Sequence, residues 1–187
     1  MKTIKHILAF VAFTIFVTSC SNDDDPIVIN EEEVITTLTI TLTPESGNEI
    51  TLKSVDLDGS DGPNPPVISI SDNLSANTTY TGAVKVLNET ESPAEDVTIE
   101  VMEEGDEHQF FYTFTNSIAT TTYTDTDKDG NPIGVEFTLT TAAAGSGNLT
   151  VTLRHEPAKS DADVLSGSIT NAGGETDIEA VFSLTVQ

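Results

Sequence analysis

The sequence predicts a mainly β chain, a single antiparallel immunoglobulin-like β-sandwich of about nine strands with one short helix, over residues 34–187. Three observations lead there. Apolar and polar residues alternate with period two in segment after segment, the signature of half-buried strands. Clusters of Gly, Pro, Asn, Asp and Ser separate the segments as turns. No train of helices interleaves them, as a doubly wound parallel sheet would require, and no internal repeat of fixed period stands out.

Residues 1–19 read as an export signal. Lys2 and Lys5 open it, an apolar run from Ile7 to Val17 follows, and Thr18 and Ser19 lead to Cys20, the single cysteine of the chain. The run falls short of the roughly 20 apolar residues of a spanning helix. Val17-Thr18-Ser19-Cys20 resembles the lipobox of bacterial lipoproteins, and the resemblance implies cleavage before Cys20 and acylation of its thiol and new amino group. Two or three acyl chains, at about 0.8 kcal/mol per buried methylene, hold a protein on a membrane without a spanning segment. An ordinary secretory signal would instead leave Cys20 as an unpaired thiol in an oxidising compartment.

Residues 20–33 read as the cysteine that the resemblance implies is lipidated, followed by an acidic tether. Ser21-Asn22-Asp23-Asp24-Asp25 is similar to the serine-then-acidic signal of Bacteroidota lipoproteins sent to the outer face of the outer membrane, with Asn22 interrupting the acidic run. The expected location is the outer membrane, with the cell surface and the periplasmic face both open.

Within the domain, Leu38, Ile40 and Leu42 alternate with Thr39, Thr41 and Thr43 in a first strand. Glu49 to Leu57 gives a second, whose apolar phase slips after Leu52 and suggests a bulge near Lys53-Ser54. The Gly- and Pro-rich stretch from Asp56 to Pro66 is a loop, and strands follow at Val67–Ser71 and Tyr80–Leu87. Ser92-Pro93-Ala94-Glu95 carries a capping residue, a first-turn proline and a glutamate three after the cap, so the helix is expected from Pro93 to Glu104, ending at Gly105. Thr98 to Val101 can also be read as an edge strand. Phe110, Tyr112 and Phe114 lie in the most aromatic strand, expected at the centre of the core. Ile118–Thr124, Ile133–Thr141 and Asn148–Arg154 supply three more strands. The last has Ile178, Ala180, Phe182, Leu184 and Val186 on one face, against Asp177, Glu179, Ser183, Thr185 and Gln187 on the other.

The chain carries 31 acidic against 7 basic residues, a net charge of −24 that grows more negative once the leader and its two lysines are removed. Such a surface repels nucleic acid phosphates and anionic headgroups, so no nucleic-acid partner is expected. It attracts divalent metals and cationic ligands instead. Asp125-Thr126-Asp127-Lys128-Asp129-Gly130-Asn131, followed by Glu136, resembles a calcium-binding EF-hand loop. In that pattern Asp125, Asp127, Asp129, the Asn131 carbonyl and a bidentate Glu136 converge on one ion, and the glycine permits the turn. Flanking strands and Pro132 depart from the family, and a plain acidic hairpin turn accounts for the same residues. Calcium is the one cofactor suggested, at the weak affinity of extracellular modules, about 10⁻⁴ to 10⁻³ M. Asp56, Asp58 and Asp61 form a secondary metal candidate without a distant glutamate.

Catalytic signatures are missing: no H-E-x-x-H, G-x-S-x-G or phosphate-binding glycine loop occurs, and the mature chain keeps only His108 and His155. His108, at the start of the aromatic strand, reads as structural. Taken with the lipobox and tether, the run from Tyr80 to Tyr112, including Asn88 to Asp96 and Glu107 to Tyr112, is similar to small flavobacterial-type lipoproteins, some labelled type 1 periplasmic-binding-fold proteins. That label implies an α/β fold, which the alternation opposes. The expected function is a non-enzymatic, lipid-anchored envelope module that binds a protein or glycan. A periplasmic small-ligand receptor is the alternative, and an envelope hydrolase a third.

Overall fold

The computed structural model describes residues 33–59 and 62–187. The leader, Cys20 and the tether as far as residue 32 lie outside the described residues, as do Ser60 and Asp61. The strands belong to a unit running from Glu32 to Gln187.

Every expected strand forms. β1 (Thr37–Pro44) buries Leu38, Ile40 and Leu42 and leaves Thr39, Thr41 and Thr43 less buried, as its alternation demands. β2 (Ile50–Val55) pairs with it from Ile50↔Leu42 to Val55↔Thr37 without a register shift. The expected bulge at Lys53-Ser54 is therefore absent. The strand keeps its phase by turning Ser54 inward, and Leu57 lies beyond its end, exposed. β3 (Val67–Ile70) and β4 (Thr79–Leu87) follow, then β5 (His108–Phe114), β6 (Ala119–Tyr123), β7 (Glu136–Thr141), β8 (Gly145–His155) and β9 (Glu175–Val186). β8 begins at Gly145, three residues ahead of the expected start at Asn148.

These strands make two antiparallel sheets, one of six strands in the order β3-β2-β1-β4-β7-β6 and one of three in the order β5-β8-β9. The α/β fold implied by the periplasmic-binding label is accordingly not the fold of these residues. A single apolar core lies between the sheets, as in a β-sandwich. Leu38, Ile40, Val86, Phe137 and Leu139 come from the larger sheet, and Phe110, Leu149, Val151, Leu153 and Phe182 from the smaller. Each such side chain contributes about 1.5–3 kcal/mol by leaving water. Gly82 sits opposite Phe137 in the β4–β7 pair, and a Cβ there would come within 2.4 Å of the ring, so glycine at this position makes room for the phenylalanine.

The aromatic strand supplies the core as expected, burying Phe110 and Tyr112 there, but it does so from a sheet edge. β5 is an edge of the smaller sheet, and β8 is its centre. The edge is sealed instead of bare: Phe110 N donates to Ile133 O at 2.7 Å, and the Tyr123 hydroxyl donates to Phe110 O at 2.8 Å.

The helix is also shorter than expected. α1 spans Val97–Glu103 with Asp96 at its N-cap, so the Ser92-Pro93 signature does not start it. Asn88 and Glu95 exchange backbone hydrogen bonds of 3.1 and 3.0 Å, which spends the residues between them on a loop. Thr98 then pins α1 to β4. Its hydroxyl accepts from Val86 N at 2.9 Å and donates to Val86 O at 3.2 Å, standing in for a neighbouring strand. A second helix, α2 (Ala162–Leu165), has no counterpart among the elements the sequence predicts. Asp161 caps it by accepting from Asp163 N, and its Val164 packs with Phe111 and Ala172 on the outer face of the smaller sheet.

Candidate functional site

The expected calcium loop is the β6–β7 connection, and its carboxylates are already engaged. Asp125 accepts from Gly134 N at 2.8 Å through Oδ1 and from Glu136 N at 2.9 Å through Oδ2. Asp127 Oδ1 accepts from Asp129 N and Asn131 N, both at 2.9 Å. The Asn131 carbonyl, expected to face an ion, accepts from Asp127 N at 2.8 Å. The Asp129 side chain points to solvent beside Lys128. Among the described residues, no three carboxylates of this loop bring oxygens within 4.8 Å of one another.

Besides Lys128 of the loop itself, an ammonium from elsewhere in the chain reaches it. Lys159, buried, donates to Asp127 Oδ2 at 3.0 Å and to the Gly105 carbonyl. The two partners respond differently. For Asp127 burial opposes ionisation, but the loop N–H groups and Lys159 outweigh it and hold the carboxyl below its ordinary value. For Lys159 burial wins over the pull of Asp127, and the ammonium is lowered.

Of the secondary candidates, Asp58 folds back onto its own loop, its Oδ2 accepting from Asn64 N at 3.2 Å and Asn64 Nδ2 at 2.8 Å. Asp56 follows the last residue of β2, its N–H donating to Thr36 O at 2.7 Å, and Asp61 lies outside the described residues.

A different group of residues converges inside the molecule. His108 on β5 and His155 on β8 are cross-strand partners, with ring centroids 4.5 Å apart. Strand periodicity puts them there: His108 shares a face with Phe110 and Tyr112, and His155 with Leu153 and Val151, so both rings point toward the core. Asp177 reaches them from β9. The register there runs Leu153↔Ile178 and then Arg154↔Thr176, leaving Asp177 as the extra residue of a bulge. A bulge re-aims a side chain, and this one carries the Asp177 carboxylate inward instead of to the polar face its position predicts. Glu33 comes from the segment just before β1. The sequence reading places it at the end of the tether, yet its side chain is 5% exposed and lies between the two histidines.

The distances are short throughout. Glu33 Oε1 lies 2.7 Å from His108 Nε2, and Glu33 Oε2 lies 3.4 Å from His155 Nδ1. Asp177 Oδ2 and Oδ1 are each 3.9 Å from a histidine nitrogen, His108 Nε2 and His155 Nδ1 respectively. One ligand atom from each of the four residues falls within 4.8 Å of all the others. Hydrogen bonding accounts for only part of the arrangement. His108 Nδ1 is 3.1 Å from Glu104 O, which leaves Nε2 facing the cluster. Glu33 Oε1 partners that nitrogen at 2.7 Å, but Glu33 Oε2 and the two Asp177 oxygens have no hydrogen-bond partner. A buried polar atom left unpaired costs about 1–3 kcal/mol, so three of them in one place are expensive.

Burial is the largest influence on three of these groups and opposes charge on each. For Glu33 it is overcome by the adjacent His108 and the charge of His155, and the carboxyl falls to about 2. Glu33 in turn raises His108, with smaller help from Glu104 O and Asp177. Asp177 moves the other way: burial and then the Glu33 charge push it up to about 7, against the partial offset of the histidines. Two carboxylates and two imidazoles thus share a dry spot in which one carboxylate suppresses ionisation of the other.

Several depressions lie outside this cluster. Depressions of about 300 Å³ beside Leu74 and Leu184, 830 Å³ along the Thr-rich rim from Thr43 to Thr81, 430 Å³ beside Tyr123 and Pro132, and 300 Å³ beside Phe114 are all open to solvent. The sequence held one signal for the buried site, the inward phase of both histidines. It held none for Asp177, whose bulge depends on pairing with β8. No known protein family, no curated protein and no solved structure matches the chain.

Proposed function

We propose that the protein is a non-enzymatic, lipid-anchored module of the cell envelope, an immunoglobulin-like sandwich held at the outer membrane by acyl groups on Cys20. The single observation that carries this reading is the leader that closes on the chain's one cysteine, followed by an acidic tether and a β domain. The shape of the domain supports binding at a surface over enclosure of a small ligand, because the depressions described above are open. A small-ligand receptor would need a deep pocket to bury most of its ligand. Of the carboxylates that converge among the described residues, Glu33 and Asp177 are 5% and 0% exposed and leave no groove for a glycan chain, and Glu107 and Glu156 meet within 4.8 Å, nearer than the spacing of a glycosidase pair, which speaks against the hydrolase reading.

The test is fractionation of cells expressing the wild-type chain or Cys20→Ser. The wild type is expected in the membrane fraction, released by detergent and not by buffer, and labelled by an alkyne fatty acid. The variant is expected in the soluble fraction without label. A wild-type protein that washes off in buffer and takes up no fatty acid overturns the proposal. Protease treatment of intact and permeabilised cells then assigns the face of the membrane.

A further inference from the structure

We propose that Glu33, His108, His155 and Asp177 bind one divalent transition-metal ion, zinc being the best fit, and that the ion clasps the N-terminal segment onto the smaller sheet. The inference is independent of how, or whether, the chain is anchored.

The geometry favours an ion over a proton-sharing network. Tetrahedral zinc with bonds of about 2.0–2.2 Å sets its ligand atoms roughly 3.3–3.5 Å apart. One ligand atom from each of the four residues lies within 4.8 Å of the others, close enough for small side-chain shifts to bring them onto one ion, with the 2.7 Å contact of Glu33 Oε1 and His108 Nε2 opening to admit it. Glu33 Oε2, Asp177 Oδ1 and Asp177 Oδ2, which have no hydrogen-bond partner, all belong to the four proposed ligands, and the Asp177 and His108 side chains are fully buried. A divalent ion would satisfy them and remove the conflict between the two carboxylates.

The chemistry of the donors selects the ion. Calcium and magnesium take oxygen ligands, whereas two imidazoles with two carboxylates suit zinc and its first-row neighbours. Four protein ligands in a buried site leave no open position, the pattern of a structural and not a catalytic zinc. His108 also carries the outer support such ligands have, with Nδ1 set against the Glu104 carbonyl. Toward solvent, Glu107 Oε2 lies 3.8 Å from His155 Nε2, and the exposed Glu107 and Glu156 form a second group with the buried His155, on the side from which a hydrated cation would arrive.

The clasp follows from topology. His108, His155 and Asp177 come from the three strands of the smaller sheet, while Glu33 precedes the strand that enters the larger one. An ion bound by all four joins both sheets at the point where the chain enters the fold.

The experiment uses the full chain, purified in detergent, stripped with chelator and titrated with zinc chloride in a calorimeter. The expected result is one equivalent bound, a Tm rise of roughly 5–10 °C at a zinc excess of about 100 times Kd, and slowed amide exchange at residues 33–36. Asp177→Asn and Glu33→Gln are each expected to lose about 100-fold or more in affinity, while Asp129→Asn, on the surface, keeps it. Cobalt(II) in place of zinc should give tetrahedral ligand-field bands that vanish in Asp177→Asn. Glu33→Gln lies outside the strands and keeps the test sound if Asp177→Asn fails to fold. Absence of zinc heat with an unchanged Tm overturns the proposal, as does zinc binding that survives both ligand substitutions. One equivalent bound without added protection at residues 33–36 overturns the clasp.

Discussion

At the scale of single residues, side chains complete the backbone where strands run out. β4 pairs with β1 along nearly its whole length but with β7 only from Thr79 to Ala83, so Val86 has no strand on that side. The Thr98 hydroxyl serves both its N–H and its carbonyl. Thr98→Val preserves shape and removes both bonds, and should cost about 1–3 kcal/mol in urea unfolding, with Thr98→Ser close to wild type. The Asp127–Lys159 pair acts in the same structural way, and its pH dependence has a definite sign. The folded-state pKa of Asp127 lies below its ordinary 3.8, so its stabilisation is complete above that value and is lost as pH falls through the lower, folded one. Asp127→Asn should therefore flatten the acid limb of the stability curve below about pH 4. Asp127→Ala, which strands a buried ammonium, should cost about 3–5 kcal/mol at neutral pH. A steep acid limb retained in Asp127→Asn would assign acid sensitivity to other carboxylates.

At the scale of elements, alternation makes most of the strands readable because most bury one face, and a period of two survives whatever its partner is; β3, largely exposed, and β5, buried on both faces along most of its length, are the exceptions. Boundaries and irregularities were less legible because they depend on remote pairing. Nothing local to Ser92-Pro93 announces that Asn88 and Glu95 will bridge and delay the helix. Nothing local to Lys53-Ser54 says that a serine will take an inward place. The bulge at Asp177 has the same origin, since it is a mismatch between β9 and β8. Gly174 helps to set that mismatch: its φ is +68°, and a Cβ there would come within 2.0 Å of the His155 carbonyl oxygen. Gly174→Ala should cost about 1–3 kcal/mol through backbone strain and also displace β9 at the bulge. The check is the amide chemical shifts of His155 and Asp177, which should move together in the variant. A well-folded Gly174→Ala protein with both signals in place would show that the bulge is held by β8 alone.

At the scale of the whole molecule, the fold class follows from pattern, but the division into sheets does not, because it is a matter of long-range order. β5 and β6 are neighbours in sequence and lie in different sheets, while β1 pairs with β4 across two intervening elements. The candidate site shows the same limit. Its four members are separated by as many as 144 positions, from Glu33 to Asp177, and only the inward phase of the histidines was open to reading. The acidic loop that resembles a calcium motif is instead stitched to its own backbone. Charge is the global property that sequence conveys directly. With 31 acidic and 7 basic residues, the ion pairs at Lys85–Asp96 and Lys128–Asp106 are far outnumbered by like-charge neighbours, so net repulsion opposes the compact state. Raising sodium chloride from about 10 mM to about 1 M contracts the screening length from about 30 Å to about 3 Å. Repulsion spread over many exposed carboxylates is screened more than two surface pairs lose, so Tm should rise with salt. The rise should be smaller in a variant with several exposed glutamates, such as Glu89, Glu91 and Glu103, replaced by glutamine. A Tm that falls with salt would mean that the few attractive pairs outweigh the acidic surplus.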